Sequence, residues 1–246
     1  MFRGGAVLLG PTMVIIFLGA VLQGFCGFGY SLLSLPLICL FAPARWAVPV
    51  IAVSSLVLNT MVLISSWGKL RLQGFLPLAV TGMVFTPAGA WMLGSLSDSA
   101  VRFVIGISVT LASLFSLSHW APHMRRTPLG MGLTGALSGL FNGLTTFSGP
   151  PAVIYLSATE TEKDSFRGNL SAFFLVLTVT AIPSFVAAGV ATSAGIVRAT
   201  MFLPAAALGG LLGIFLAGRV NSSAFRKIAL VVLALLGVSG AIQAVI

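Results

Sequence analysis

Charge is what this sequence has least of. Lys, Arg, Asp and Glu make up 7% of its 246 residues, and only four of them are acidic. A soluble fold must cover its core with polar surface, and a chain that is 58% hydrophobic with a mean hydropathy of +1.10 cannot do so. It belongs in a bilayer. The two cysteines, Cys26 and Cys39, are too few for a disulfide framework. Cys26 reads as a small buried residue more readily than as a contact for a soft ligand. The two histidines, His119 and His123, flank Pro122 between apolar runs, and no metal-ligand spacing occurs. The acids are Asp98 and three residues between Glu160 and Asp164, all outside the apolar runs. An intramembrane enzyme would need a base or a metal there. The expectation is therefore no enzyme, no catalytic residue, no metal and no cofactor.

What the sequence does have is long apolar runs, at residues 5–43, 46–67, 72–94, 100–120, 129–158, 166–189, 196–217 and 224–246. About 20 residues of helix cross roughly 30 Å of hydrocarbon. The fold class predicted is all-α and polytopic, a single membrane domain over 1–246. The 13 Lys and Arg sit singly or in pairs in short connections, so they read as topology signals and not as a nucleic-acid surface. The start, Met1-Phe-Arg-Gly-Gly, leads into an apolar run without a small-residue cleavage pattern, and is expected to be retained.

Two runs contain a break. Gln23-Gly-Phe-Cys-Gly-Phe-Gly-Tyr-Ser-Leu-Leu-Ser-Leu-Pro36 returns, shifted by 115 residues, as Ser138-Gly-Leu-Phe-Asn-Gly-Leu-Thr-Thr-Phe-Ser-Gly-Pro-Pro151. Segments around Gly89 and Gly213 match at an offset of 124. The halves predicted are 1–121 and 128–246. Each first run, of 39 and 30 residues, is too long for one span. Two half-helices meeting at a loop would fit, with Pro36 and Pro150/Pro151 in the first turn of the returning arm. Charge supports a hairpin: if each first run returns to its own side, nine of the 13 basic residues share one side. Three full crossings per half then make the repeats inverted.

Non-helical backbone at bilayer depth is tolerated where it lines a cavity, and paired breaks point to a transporter's site. Freed amides at a helix start favour an anion. Gly27, Gly29 and Gly143 allow open backbone angles, and Tyr30, Ser31, Asn142, Thr145, Thr146 and Ser148 add neutral polar groups. Arg167 and Asn169 open the run after the second break. Against these stand bland readings. Gly135, Gly139 and Gly143 form a small-residue ladder suited to helix packing, and Arg167 suits an interfacial position beside the acids at 160–164. Asn59 and Thr60 are weaker candidates.

These loops, with Ser138-Gly-Leu, Gly-Pro-Pro151-Ala-Val-Ile-Tyr-Leu, Arg167 and the Gly94 and Gly218 turns, resemble the TauE/SafE (TSUP) sulfite exporter family. Members often carry Gly-x-Gly-Gly-Gly in these loops, where this chain has Gly27-Phe-Gly29-Tyr-Ser and Asn142-Gly-Leu-Thr-Thr. The resemblance implies a multi-pass plasma-membrane protein moving sulfite, an organosulfonate or a related small anion. Alternating access is the mechanism expected, with a passive anion channel as the alternative. Partners are then the small anion and the lipid bilayer, no nucleic acid, and either no further subunit or a second copy in a homo-oligomer.

Overall fold

The computed structural model describes residues 5–70, 75–117, 125, 127–159, 163–217 and 219, and these are all helix and turn. In order the helices are α1 (Gly5–Cys26), α2 (Tyr30–Cys39), α3 (Ala44–Ser65), α4 (Phe75–Ser95), α5 (Asp98–Leu117), α6 (Pro128–Thr145), α7 (Gly149–Thr159), α8 (Lys163–Ala187), α9 (Ser193–Ala199) and α10 (Leu203–Ala217). Single 3-10 turns follow α3 and join α9 to α10. Among the described residues, five stretches are long and apolar enough to cross a membrane: Leu9–Cys26, Ala44–Ser65, Phe75–Ser95, Ser165–Ala187 and Ser193–Ala217. The run 224–246, both histidines and residues 160–162 lie outside the described residues.

Both long first runs break, but not into equal arms. α1 has 22 residues and α6 has 18, whereas α2 has 10 and α7 has 11. At 1.5 Å per residue the returning arms are about 15 Å long, half a hydrocarbon core. Only those arms are half-helices; α1 and α6 run as continuous helices to Cys26 and Thr145, and Gly24 and Gly143 near their ends pack against other helices. α2 folds back along α1, with Ser34 Oγ donating to Ile15 O at 3.4 Å and Tyr30 beside Gly19. α7 folds back along α6, where the Thr127 N–H donates to Tyr155 Oη at 3.0 Å. Pro150 and Pro151 occupy the first turn of α7 as expected. Pro36 does not: it is the seventh residue of α2, inside the helix.

Two helix pairs are fused by glycine. α4 runs parallel to α6, where an added Cβ on Gly135, Gly139 or Gly143 would collide with the carbonyls of Leu78, Gly82 or Thr86. α1 runs parallel to α10, where a Cβ on Gly24 would strike Gly210 O and one on Gly213 would strike Val21 O. Small residues let backbones approach in lipid, where burial of apolar surface gives no driving force. The contact sets coincide when 119 is added along α1 and 124 along α4: Gly24 meets Gly210, Gly213 and Ile214 as Gly143 meets Thr86, Gly89 and Ala90. The offset of 115 read from sequence is thus one helical turn short. Small residues recur every four positions here, so the ladder matches itself after a one-turn slip.

α3 and α8 cross the middle antiparallel, with Asn59 beside Thr178 and Ser66 beside Gly168. At the far end of α2, the loop into α3 is pinned to the α4–α5 turn. Asp98 Oδ1 accepts the Ala44 N–H at 2.8 Å, and its Oδ2 pairs with Arg102 Nε at 2.6 Å. Arg102 also donates to Cys39 O, and Arg45 to Gly94 O and Leu96 O.

Candidate functional site

The two breaks share a backbone feature. Between α1 and α2, Gly27 and Gly29 take φ of 86° and 109°. Between α6 and α7, Thr146 sits at φ 55°, the one non-glycine residue with positive φ among the described residues. Left-handed backbone costs a side-chain-bearing residue about 1–2 kcal/mol. Local bonds offset it: the Thr146 N–H donates to Asn142 O at 2.7 Å and its hydroxyl to Thr145 O at 2.6 Å. Thr145 Oγ1 accepts the Phe147 N–H at 3.2 Å. Gly27 and Thr146 stand 119 residues apart, as do the helix starts Tyr30 and Gly149.

Each break carries a phenylalanine into a cluster drawn mostly from the other half. Phe28 packs against the cluster built on Leu78, Ala152, Leu170 and Phe173. Phe147 is buried in the larger core formed around Ile16, Leu35, Ile51 and Phe185. The tips are therefore neighbours, and a pocket of about 630 Å³, including its mouth, lies between them.

Of the residues predicted, Gly29, Tyr30, Ser31, Asn142, Thr146 and Ser148 line this pocket. Gly27, Gly143, Thr145, Arg167 and Asn169 do not. Gly143 belongs to the α4–α6 interface, which is the packing reading of the ladder. Thr145, fully buried, braces the turn behind the pocket. Arg167 reaches from α8 to the end of α1, where its Nη2 donates to Gly24 O at 2.9 Å and its stem lies against Gly27. A cation at a helix C-terminus is favoured by the free carbonyls and the dipole. Asn169 is buried on α8, one half-turn further on.

The lining also includes residues that sequence reasoning passed over or ranked low. Gln23 Nε2 donates to Asn59 Oδ1 at 2.6 Å, and Asn59 Nδ2 donates to Thr178 Oγ1 at 3.4 Å. Asn142 Nδ2 donates to Leu177 O at 3.1 Å, and Asn142 Oδ1 accepts from Ser148 at 3.4 Å. Gln23, Asn59, Asn142 and Thr178 are each at most 4% exposed. Under the 119-residue offset Gln23 matches Asn142 and Asn59 matches Thr178, a signal that the one-turn slip concealed. Phe174, Val153 and Leu32 complete an apolar wall. Among the described residues, no Lys, Arg, His, Asp or Glu lines the pocket.

The site is thus a neutral polar pocket between two breaks inside a bundle of apolar helices. The sequence matches the family described as sulfite exporter TauE/SafE over residues 12–240. The chain belongs to that family. No curated protein and no solved structure gives a match. As a TauE/SafE member with several membrane-crossing helices, the chain is a multi-pass membrane protein of a transporter family for sulfite and related sulfur anions.

Proposed function

We infer that this chain is a secondary transporter of a small sulfur oxyanion or organosulfonate in the cell membrane, with the substrate held in the pocket between the α1–α2 and α6–α7 breaks. The observation that carries the reading is that one pocket is lined from both breaks, by Gly29, Tyr30 and Ser31 on one side and Asn142, Thr146 and Ser148 on the other. Amides at the start of α2 would hold the anion, and polar groups would replace its water. Alternating access follows if the halves 1–121 and 128–246 are inverted repeats that rock about the shared site. The antiparallel crossing of α3 with α8 and the matching glycine contacts of α1–α10 and α4–α6 support that relation.

The test is flux of labelled sulfite in proteoliposomes. The expected result is saturable uptake that is lost in Ser148→Trp and Asn142→Leu, both of which fill or strip the pocket, while each variant still runs as folded protein on size exclusion. Uptake unchanged in both variants would refute the placement of the site. Uptake that rises linearly with concentration, without saturation, would refute a carrier.

A further inference from the structure

The two sides of the pocket are not chemically alike. α2 opens on Gly29, Tyr30, Ser31 and Leu32, and its first intrahelical bond is from Leu33 N to Gly29 O at 3.1 Å. Four backbone N–H groups are therefore left without a helical acceptor at that end. α7 opens on Ser148, Gly149, Pro150 and Pro151, and proline has no N–H, so only two remain. Free backbone donors are concentrated on the α2 side.

Away from those amides, the lining carboxamides of Gln23, Asn59 and Asn142 each spend one N–H inside the protein, and the lining hydroxyls offer lone pairs. Four lining hydroxyls have already committed their protons within the protein: Ser55 to Ala52 O at 2.9 Å, Thr178 to Phe174 O at 2.7 Å, Thr146 to Thr145 O at 2.6 Å and Ser148 to Asn142 Oδ1 at 3.4 Å. A hydroxyl has one proton and two acceptor sites, so what each can still present to a ligand is an acceptor. A fully ionised oxyanion has only acceptors itself. Set against these hydroxyls it would meet lone pair with lone pair, with no cation among the described lining residues to offset the lost hydrogen bonds.

We propose that the transported species is a monoanion that also bears a hydrogen-bond donor: for sulfite, the protonated form, its negative oxygens at the α2 amides and its O–H turned to the Thr178 and Ser55 side. This rests on the oxyanion reading above and adds the protonation state. Each turnover then moves one negative charge and one proton together, so that flux is linked to the pH gradient through the substrate itself and no carboxylate in the described spans is required.

The experiment compares three anions in proteoliposomes, with empty liposomes subtracted, from slightly acid to slightly alkaline pH. Sulfite titrates across this range, methanesulfonate is a monoanion with no donor, and sulfate is a dianion with no donor. At constant total sulfite, flux should fall roughly tenfold for each pH unit above the second ionisation of sulfite. Methanesulfonate flux should be slower and flat with pH, and sulfate should not move. Thr178→Val should lower the preference for sulfite over methanesulfonate. Ser31→Pro, which gives α2 the residue that α7 carries at the matching position, should weaken sulfite and methanesulfonate alike. Sulfite flux that holds steady or rises with pH, sulfate moving as fast as sulfite, or an unchanged preference in folded Thr178→Val would overturn the proposal. If no anion moves at any pH, the transporter reading itself falls, and this one with it.

Discussion

Replacing Gly27 by alanine tests how the first break is held. The residue sits at φ 86°, where a side chain costs about 1 kcal/mol. An added Cβ would also lie 2.9 Å from Arg167 Cγ, so the arginine must shift. That shift breaks the bond from its Nη2 to Gly24 O, a charged hydrogen bond worth about 2 kcal/mol. The expected total is about 3 kcal/mol. Gly189 supplies the control: it has φ 68° but nothing within 4 Å of its added Cβ, so Gly189→Ala should cost only the backbone part, about 1 kcal/mol. In an Arg167→Ala background the cost of Gly27→Ala should likewise drop to about 1 kcal/mol, a coupling of about 2 kcal/mol. Reversible unfolding in mixed detergent micelles reads all four values. If Gly27→Ala and Gly189→Ala lose the same stability, or if the two changes at 27 and 167 simply add, Arg167 does not clamp this break.

Other consequences follow from the same contacts. Gly143→Val and Gly24→Val should each abolish recovery of folded protein, because in both cases the new side chain meets backbone; Gly132→Ala, whose nearest neighbour would be Thr81 Cγ2 at 3.8 Å, should be neutral or slightly stabilising on size exclusion. Asp98→Asn weakens the part-exposed pair with Arg102 and the acceptor for Ala44 N–H, so a loss of about 1 kcal/mol is expected in thermal unfolding, with a clear further loss in Asp98→Asn/Arg102→Ala, because Arg102 also donates to Cys39 O and Ala42 O. Single cysteines at positions 3 and 125, in a chain cleared of Cys26 and Cys39, should label from opposite sides of the membrane. Labelling from the same side would exclude the paired-hairpin topology.

How far the sequence could be read depended on the kind of signal. The absence of charge and the length of the apolar runs settled the class, since lipid leaves a chain no option but to satisfy its backbone internally. Gly27, Gly29 and the pair Pro150-Pro151 marked the breaks, because they act on backbone geometry locally. Register was another matter. Glycine and alanine at four-residue spacing look the same after a one-turn shift, and only the parallel packing of α1 on α10 and α6 on α4 distinguished an offset of 119 from 115. The fate of individual candidates was likewise tertiary. Gly143 and Ser31 are both small residues near a break, yet one lies against the α4 backbone and the other lines the pocket. Arg167 is drawn to a carbonyl on α1, 143 residues earlier in the chain, which no local pattern encodes. Gln23, Asn59 and Thr178 acquire meaning only as neighbours, since an amide in an apolar run signals some partner without saying which. Composition and local backbone preference thus determined that this chain is a membrane bundle broken twice. Which polar groups face each other across the gap was decided by helix packing, because contacts between distant segments depend on register and crossing direction, and neither is written in any short stretch of sequence.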